Sequence, residues 1–218
     1  MQQDQKIQQE ISIEEMALIA KSVGYELKLK LFNTLIENKN RDIHVFELSK
    51  ITGSSYRNVQ IHLQFFVNAG LAKINPESYP MTVRISKSVH FFEKTVMDAK
   101  KEGIDTLVVH ESLALYTRGI EGYKEITDEE EIIRIAKGLS NPTRIYIMQI
   151  LYNQPGSSIP KIEKLLRGTQ YESSYRNVSQ HIDKLEEAGI VSVIKDQLAR
   201  EKLVDLKKII KIETRDIS

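Results

Sequence analysis

The chain has 218 residues, 41% hydrophobic and 28% charged, with a formal net charge of +1: enough for one large domain or two small ones of ordinary globular composition. Cysteine is absent, which removes disulfides, thiolate metal sites, cysteine nucleophiles and iron–sulfur clusters together. No run approaches the ~20 apolar residues of a membrane span, and so small a net charge means that nucleic-acid binding would need positive charge gathered on one face.

Residues 1–11 are polar and rich in glutamine, and Met1 to Glu10 lack the apolar core of a secretory signal. A disordered tail and a cytoplasmic location are the expectations. Beyond it the chain repeats itself. Ile19-Ala20-Lys21 recurs as Ile135-Ala136-Lys137, a shift of 116 residues (135 − 19). Ser54-Ser55-Tyr56-Arg57-Asn58-Val59 recurs unchanged as Ser173-Ser174-Tyr175-Arg176-Asn177-Val178, a shift of 119 (173 − 54). The difference fits a longer turn in the second copy, around Gly168 to Glu172. His62 then matches His181, and Ala69-Gly70-Leu71 matches Ala188-Gly189-Ile190. Two copies of roughly 75 residues each predict two domains, at 12–88 and 127–218.

Each copy opens on a helix start: Ser12-Ile13-Glu14-Glu15 and Thr127-Asp128-Glu129-Glu130 read as capping boxes, a hydroxyl at the cap and Glu three residues on. Second helices follow, through Leu27, Leu31 and Leu35 in one copy and Ile147, Ile150 and Leu151 in the other. Asn141-Pro142 starts the latter, Asn as cap and Pro at the first helical position. Short third helices are expected at Val45 to Ile51 and Pro160 to Leu166. The helix carrying the hexapeptide has one buried stripe, Val59, Leu63 and Phe66 in the first copy and Val178, Ile182 and Leu185 in the second. Gly70 and Gly189 sit where a helix C-terminal glycine belongs. Strand pairs follow at Leu71 to Ile74 with Met81 to Ser86, and at Ile190 to Lys195 with Lys202 to Leu206. Helices followed by a two-stranded wing are the order of a winged helix-turn-helix domain. The predicted fold is mainly α with small β-hairpin wings (α+β).

Between the copies, residues 89–126 are too many for a bare loop and are expected to form a helical connector. His90 to Lys101 reads as helical, and Val109, Leu113, Tyr116 and Ile120 space out a second apolar helical face, with a strand at Thr106 to His110 as the alternative. Such a face either packs on its own domain or mediates a homodimer.

The second copy resembles a known family. Leu139-Ser140-Asn141-Pro142-Thr143-Arg144, Val178-Ser179-Gln180-His181-Ile182 and Glu187-Ala188-Gly189-Ile190 look like the ArsR-type winged helix repressors. The first copy shares this through Val59 to Leu63 and Ala69-Gly70-Leu71. The resemblance implies sequence-specific binding of double-stranded DNA and transcriptional regulation, as a repressor. The chain departs from the family in carrying two copies and in lacking the cysteine metal box, so DNA binding carries over and metal sensing does not.

In helix-turn-helix docking the start of the recognition helix meets base edges in the major groove. The DNA-contacting residues are then Ser54, Ser55, Tyr56, Arg57, Asn58 and Gln60 in the first copy. In the second they are Ser173, Ser174, Tyr175, Arg176, Asn177, Ser179 and Gln180. Arginine pairs with guanine and glutamine with adenine. Packing requires only the valine of the hexapeptide to match, yet the outward Arg and Asn match too. In the wings, Arg84 with Lys87, and Lys195, Arg200 and Lys202, are placed to neutralise phosphates. Gln180 falls one position later than Gln60, so the two readers differ.

His62 and His181 are expected to pack beside the buried stripe. His90 and Glu93, at i and i+3, are a metal signal too small to close a site. The five histidines are scattered, and no phosphate loop or triad-like grouping is present. No enzyme activity and no cofactor are expected. The rival from another class is a tandem winged helix scaffold for protein partners, which the near-neutral charge favours.

Overall fold

The computed structural model describes residues 11–75, 78, 80–101, 122–195 and 201–217. Helix α1 (Ile13–Val23) begins on a reciprocal cap, Ser12 Oγ accepting the Glu15 N–H at 3.1 Å while Glu15 Oε2 accepts the Ser12 N–H at 2.8 Å. The first half continues as α2 (Glu26–Glu37), β1 (Ile43–His44), α3 (Val45–Thr52), α4 (Tyr56–Asn68), β2 (Ala72–Asn75), β3 (Thr82–Ile85) and β4 (Lys87–Thr95). Helix α5 (Val96–Lys101) and strand β5 (Lys124–Ile126) come next. The second half repeats the order: α6 (Glu129–Leu139), α7 (Pro142–Asn153), β6 (Ser157–Ser158), α8 (Ile159–Leu166), α9 (Tyr175–Glu187), β7 (Val191–Lys195), β8 (Lys202–Leu206) and β9 (Lys208–Asp216). This is a mixed α+β protein with small antiparallel sheets. Among the described residues no helix is long and apolar enough to cross a membrane.

Helices α4 and α9 bury the stripes that the spacing predicts: Val59, Leu63 and Phe66, and Val178, Ile182 and Leu185, are fully enclosed. Both end in the same way. The Gly70 N–H reaches Val67 O at 3.0 Å and the Leu71 N–H reaches Phe66 O at 2.8 Å; Gly189 and Ile190 repeat this on Glu186 and Leu185. The closure needs a left-handed residue, and Gly70 (φ 66°) and Gly189 (φ 69°) provide it without a Cβ penalty. In each half the hairpin gains a third strand, in the orders β1-β3-β2 and β6-β8-β7.

The halves are joined symmetrically. Pairing of Ala72 with Ile85, and of Val191 with Leu206, makes Ile85 and Leu206 counterparts, a shift of 121 (206 − 85). Strands β4 and β9 are counterparts under the same shift, and they pair with each other, antiparallel, from Lys87↔Asp216 to Thr95↔Lys208. Phe91 lies opposite Ile212, its own counterpart. The flanking bonds repeat the relation, Val96 N–H to Lys207 O and Ile217 N–H to Ser86 O, both 3.0 Å. A pseudo-two-fold axis therefore passes through the Phe91–Ile212 pair. Helices α1 and α6, also counterparts, pack together with Ala20 and Ala136 fully buried. A Cβ at Gly24 would lie only 3.2 Å from the α6 backbone at Ala136 and Lys137, so these helices approach closely. One apolar cluster runs through both halves.

Three expectations are corrected. Residues 90–95 form strand, not helix, because β4 satisfies its backbone against β9 and β5, partners more than twenty residues away in sequence. The helical connector thus reduces to α5 among the described residues; Val109, Leu113, Tyr116, Ile120 and the alternative strand at 106–110 lie outside them. The cap of α6 is Asp128, not Thr127: its carboxylate accepts the Glu131 N–H at 2.7 Å. The longer turn of the second copy also has a use invisible in sequence. The Tyr171 ring packs on Tyr146, centroids 4.7 Å apart and tilted by 35°, and its hydroxyl donates to Glu14 of α1 at 2.7 Å. Burial and that bond push the phenol up to about 12.

Candidate nucleic-acid interface

Ser55 caps α4, its Oγ accepting the Asn58 N–H at 3.3 Å; Ser174 holds the same place before α9 without a side-chain cap bond. The extended cap residue ends the preceding turn, and the next three side chains emerge on the open side of the helix. Tyr56, Arg57 and Asn58 are exposed, as are Tyr175, Arg176 and Asn177. Neither Arg57 nor Arg176 has an ion pair or hydrogen bond among the described residues. Ser54 and Ser173 are half-buried at the turn. Each helix start thus presents a serine hydroxyl, a phenol, an uncompensated guanidinium and a carboxamide beside unpaired backbone N–H groups, a combination suited to phosphate and base edges.

The other predicted contacts divide. Gln60 is half-buried and its amide is engaged with Tyr56 Oη at 3.4 Å and Met81 Sδ at 3.9 Å, so it does not project freely. Ser179, its counterpart, is half-buried too, whereas Gln180 is exposed. Arg84 is bound to Asp42, which offsets its charge. Lys87 begins β4 and belongs to the central sheet. Lys195 and Lys202 stand directly opposite each other at the end of the β7–β8 hairpin. Like charges so placed repel, and an external anion would relieve them. Arg200 lies outside the described residues.

Sequence reasoning missed Ile61. It lies two residues past buried Val59, about 200° around the helix, and is 50% exposed. The signal was available: an isoleucine falling outside the i, i+4, i+7 stripe of its own helix. Phe46, Ile51 and Tyr56 are exposed in the same half, and Lys50 Nζ lies 4.5 Å from the Phe46 ring. The acids of α9 are partly used internally: Glu186 accepts the Val193 N–H at 3.2 Å and Glu187 binds Lys184 at 2.7 Å.

Each half also holds a cation beside a histidine. Lys28 is 4% exposed, its Nζ donating to Lys21 O at 2.8 Å and lying 3.7 Å from the Phe65 ring and 4.8 Å from the Tyr25 ring. Burial, with Lys21 nearby, lowers this ammonium to about 8. Arg144 is its counterpart, donating to Ser140 Oγ at 3.0 Å with Nε unpartnered. It lines a groove of about 1210 Å³ that takes in Tyr25 and Glu26 of the first half and reaches Gln180, Asp183 and Glu187 of α9. Burial, and then the neighbouring Lys28 or Arg144, lowers the His62 and His181 imidazoles, which stay neutral near pH 7. His90 and Glu93, three apart on a strand, point to opposite faces; His90 binds Glu125 and Glu93 binds Lys208.

No protein-family model matches the chain, and no curated protein is significantly similar to it.

Proposed function

We propose that the chain is a sequence-specific double-stranded DNA-binding transcription regulator built from two tandem winged helix-turn-helix units, with α4 and α9 as recognition helices. The observation that carries this reading is the repeated Tyr-Arg-Asn at the two helix starts, exposed in both halves and with neither guanidinium paired among the described residues. Packing does not require that identity, and a ligand shared by the two halves would account for it. The pseudo-two-fold axis supports it further. Regulators of this architecture present two recognition helices through a dimer, and here the β4–β9 and α1–α6 contacts relate the helices within one chain. A single chain would then cover two half-sites roughly 34–36 Å apart. Lys195 and Lys202 would meet phosphates beside the second half-site. Repression is the output that the ArsR-type resemblance implies.

A second reading, a scaffold for protein partners, draws on exposed Phe46, Ile51 and Ile61 in the first half. The two readings separate in one experiment. Purified protein is mixed with genomic fragments across a salt series, beside an Arg57→Ala/Arg176→Ala variant. Retention of particular fragments, falling steeply with salt and reduced at least tenfold in the variant, is expected for a DNA reader, each lost bidentate contact being worth about 1–3 kcal/mol. No retention by either protein at low salt leaves the scaffold.

A further inference from the structure

The two recognition helices differ at the centre of their outward faces. Under the shift of 119 that aligns the hexapeptides (173 − 54), Ile61 is the counterpart of Gln180, and Gln60 of Ser179. On α4 the fully buried Val59, Leu63 and Phe66 define the inner side, and Ile61 stands opposite them, 50% exposed, one turn beyond Arg57. On α9 the exposed Gln180 stands opposite Val178, Ile182 and Leu185, one turn beyond Arg176, at the rim of the groove that Asp183 and Glu187 also line, with no hydrogen bond among the described residues. The glutamine of the first half is no substitute, since its amide is taken up by Tyr56 and Met81.

Resting on the DNA-binding reading above, we infer that these two side chains read different bases at the equivalent place in the two half-sites. Ile61 packs on a thymine C5-methyl, and Gln180 bonds adenine N6 and N7. An aliphatic side chain in the major groove has no hydrogen bond to offer, and the thymine methyl is the only apolar group a base presents there. A free carboxamide matches the donor–acceptor pair of adenine. The arginines before them are identical, so the flanking contact is shared. Two helices related by a pseudo-two-fold axis and carrying identical readers would select a palindrome. Ile61 against Gln180 breaks the palindrome at one position and fixes the direction in which the protein lies on its site.

The test is selection of sites from a random duplex library by the unaltered chain, Ile61→Gln, Gln180→Ile and the double exchange. Both positions are exposed, and unchanged circular dichroism and melting show that each variant folds. The unaltered chain should select T in one arm and A at the symmetry-equivalent position of the other, by about tenfold over other bases. Ile61→Gln should turn the first arm to A and make the site palindromic. Gln180→Ile should turn the second to T, and the double exchange should reverse the site. Selected sites already palindromic at this position, or unmoved by the exchanges, overturn the inference while leaving DNA binding intact. A library that yields no selected site with any of the four proteins overturns it together with the regulator reading.

Discussion

The two halves share an element order, a buried stripe and an exposed Tyr-Arg-Asn, yet they fill the space beside α4 and α9 differently. In the first half Lys28 is enclosed between Tyr25 and Phe65. In the second, Lys184 replaces Phe65 and is held by Glu187, and Arg144 lies at a groove instead of under a ring. The outer faces diverge in the same sense. Helix α4 has no acidic residue and shows Ile61, whereas α9 carries Asp183, Glu186 and Glu187. What remains common is the core and the helix start. The two copies therefore agree in the core and in the helix start, and differ in what surrounds them.

The comparison can be pressed hardest through the core. Phe66 and Leu185 are counterparts, both fully buried. Phe66→Ala is expected to cost about 3–5 kcal/mol and Leu185→Ala about 2–5 kcal/mol, read as the shift of a urea midpoint. Because β4–β9 and α1–α6 join the halves into one cluster, either change should move a single transition. Two separated transitions would show that the halves fold independently.

A smaller contrast lies at Gly138 and its counterpart Ser22 (138 − 22 is the same shift of 116 as between α1 and α6). A Cβ at Gly138 would meet the Ala188 Cβ at 2.6 Å, and that atom has no rotamer to yield. Gly138→Ala should lose about 1–3 kcal/mol by overpacking. Ser22 is buried with its hydroxyl on Ile19 O, so Ser22→Ala should stay within about 1.5 kcal/mol. Equal losses at both sites in thermal melts would mean that the halves pack alike there.

The subtlest contrast is in pH. Lys28 falls to about 8 in the fold against an ordinary 10.5, so the unfolded chain binds the extra proton between those values. Its penalty is full below about pH 8, and stability should climb from there to pH 10.5. Lys28→Arg should flatten that climb, because a guanidinium stays charged throughout, as at Arg144. On the acid side both histidines are lowered. The stability of keeping them neutral is present above about pH 6.5 and is lost as the pH falls below it. His62→Gln and His181→Gln should each remove part of that acid loss in denaturation curves.

Much of this molecule was legible along the chain, and the gaps have a common cause. Ser12, Asn141 and the apolar spacing of α2, α4 and α9 act within a few residues, so they placed helices correctly. The cap falls on Asp128 and not on Thr127 because two cap-type residues adjoin there and three glutamates follow. The strands β4 and β9 went unread: Lys87–Thr95 has no clean alternation, and its partner is far away in sequence. Arg84 is exposed as expected but paired with Asp42, and Gln60 is half-buried with its amide on Met81; both partners are distant along the chain.

The sequence by itself determined the duplication, the helices with their caps, the buried stripes and the repeated Tyr-Arg-Asn, because each is set by local backbone chemistry or by identity between copies. Only the tertiary structure decided that the halves pair through β4 and β9 about a pseudo-two-fold axis, that Lys28 and Arg144 sit beside their histidines, and that Gln60 is held by Met81. Those outcomes depend on which distant groups satisfy one another's hydrogen bonds and fill one another's space, and that is fixed when the whole chain packs.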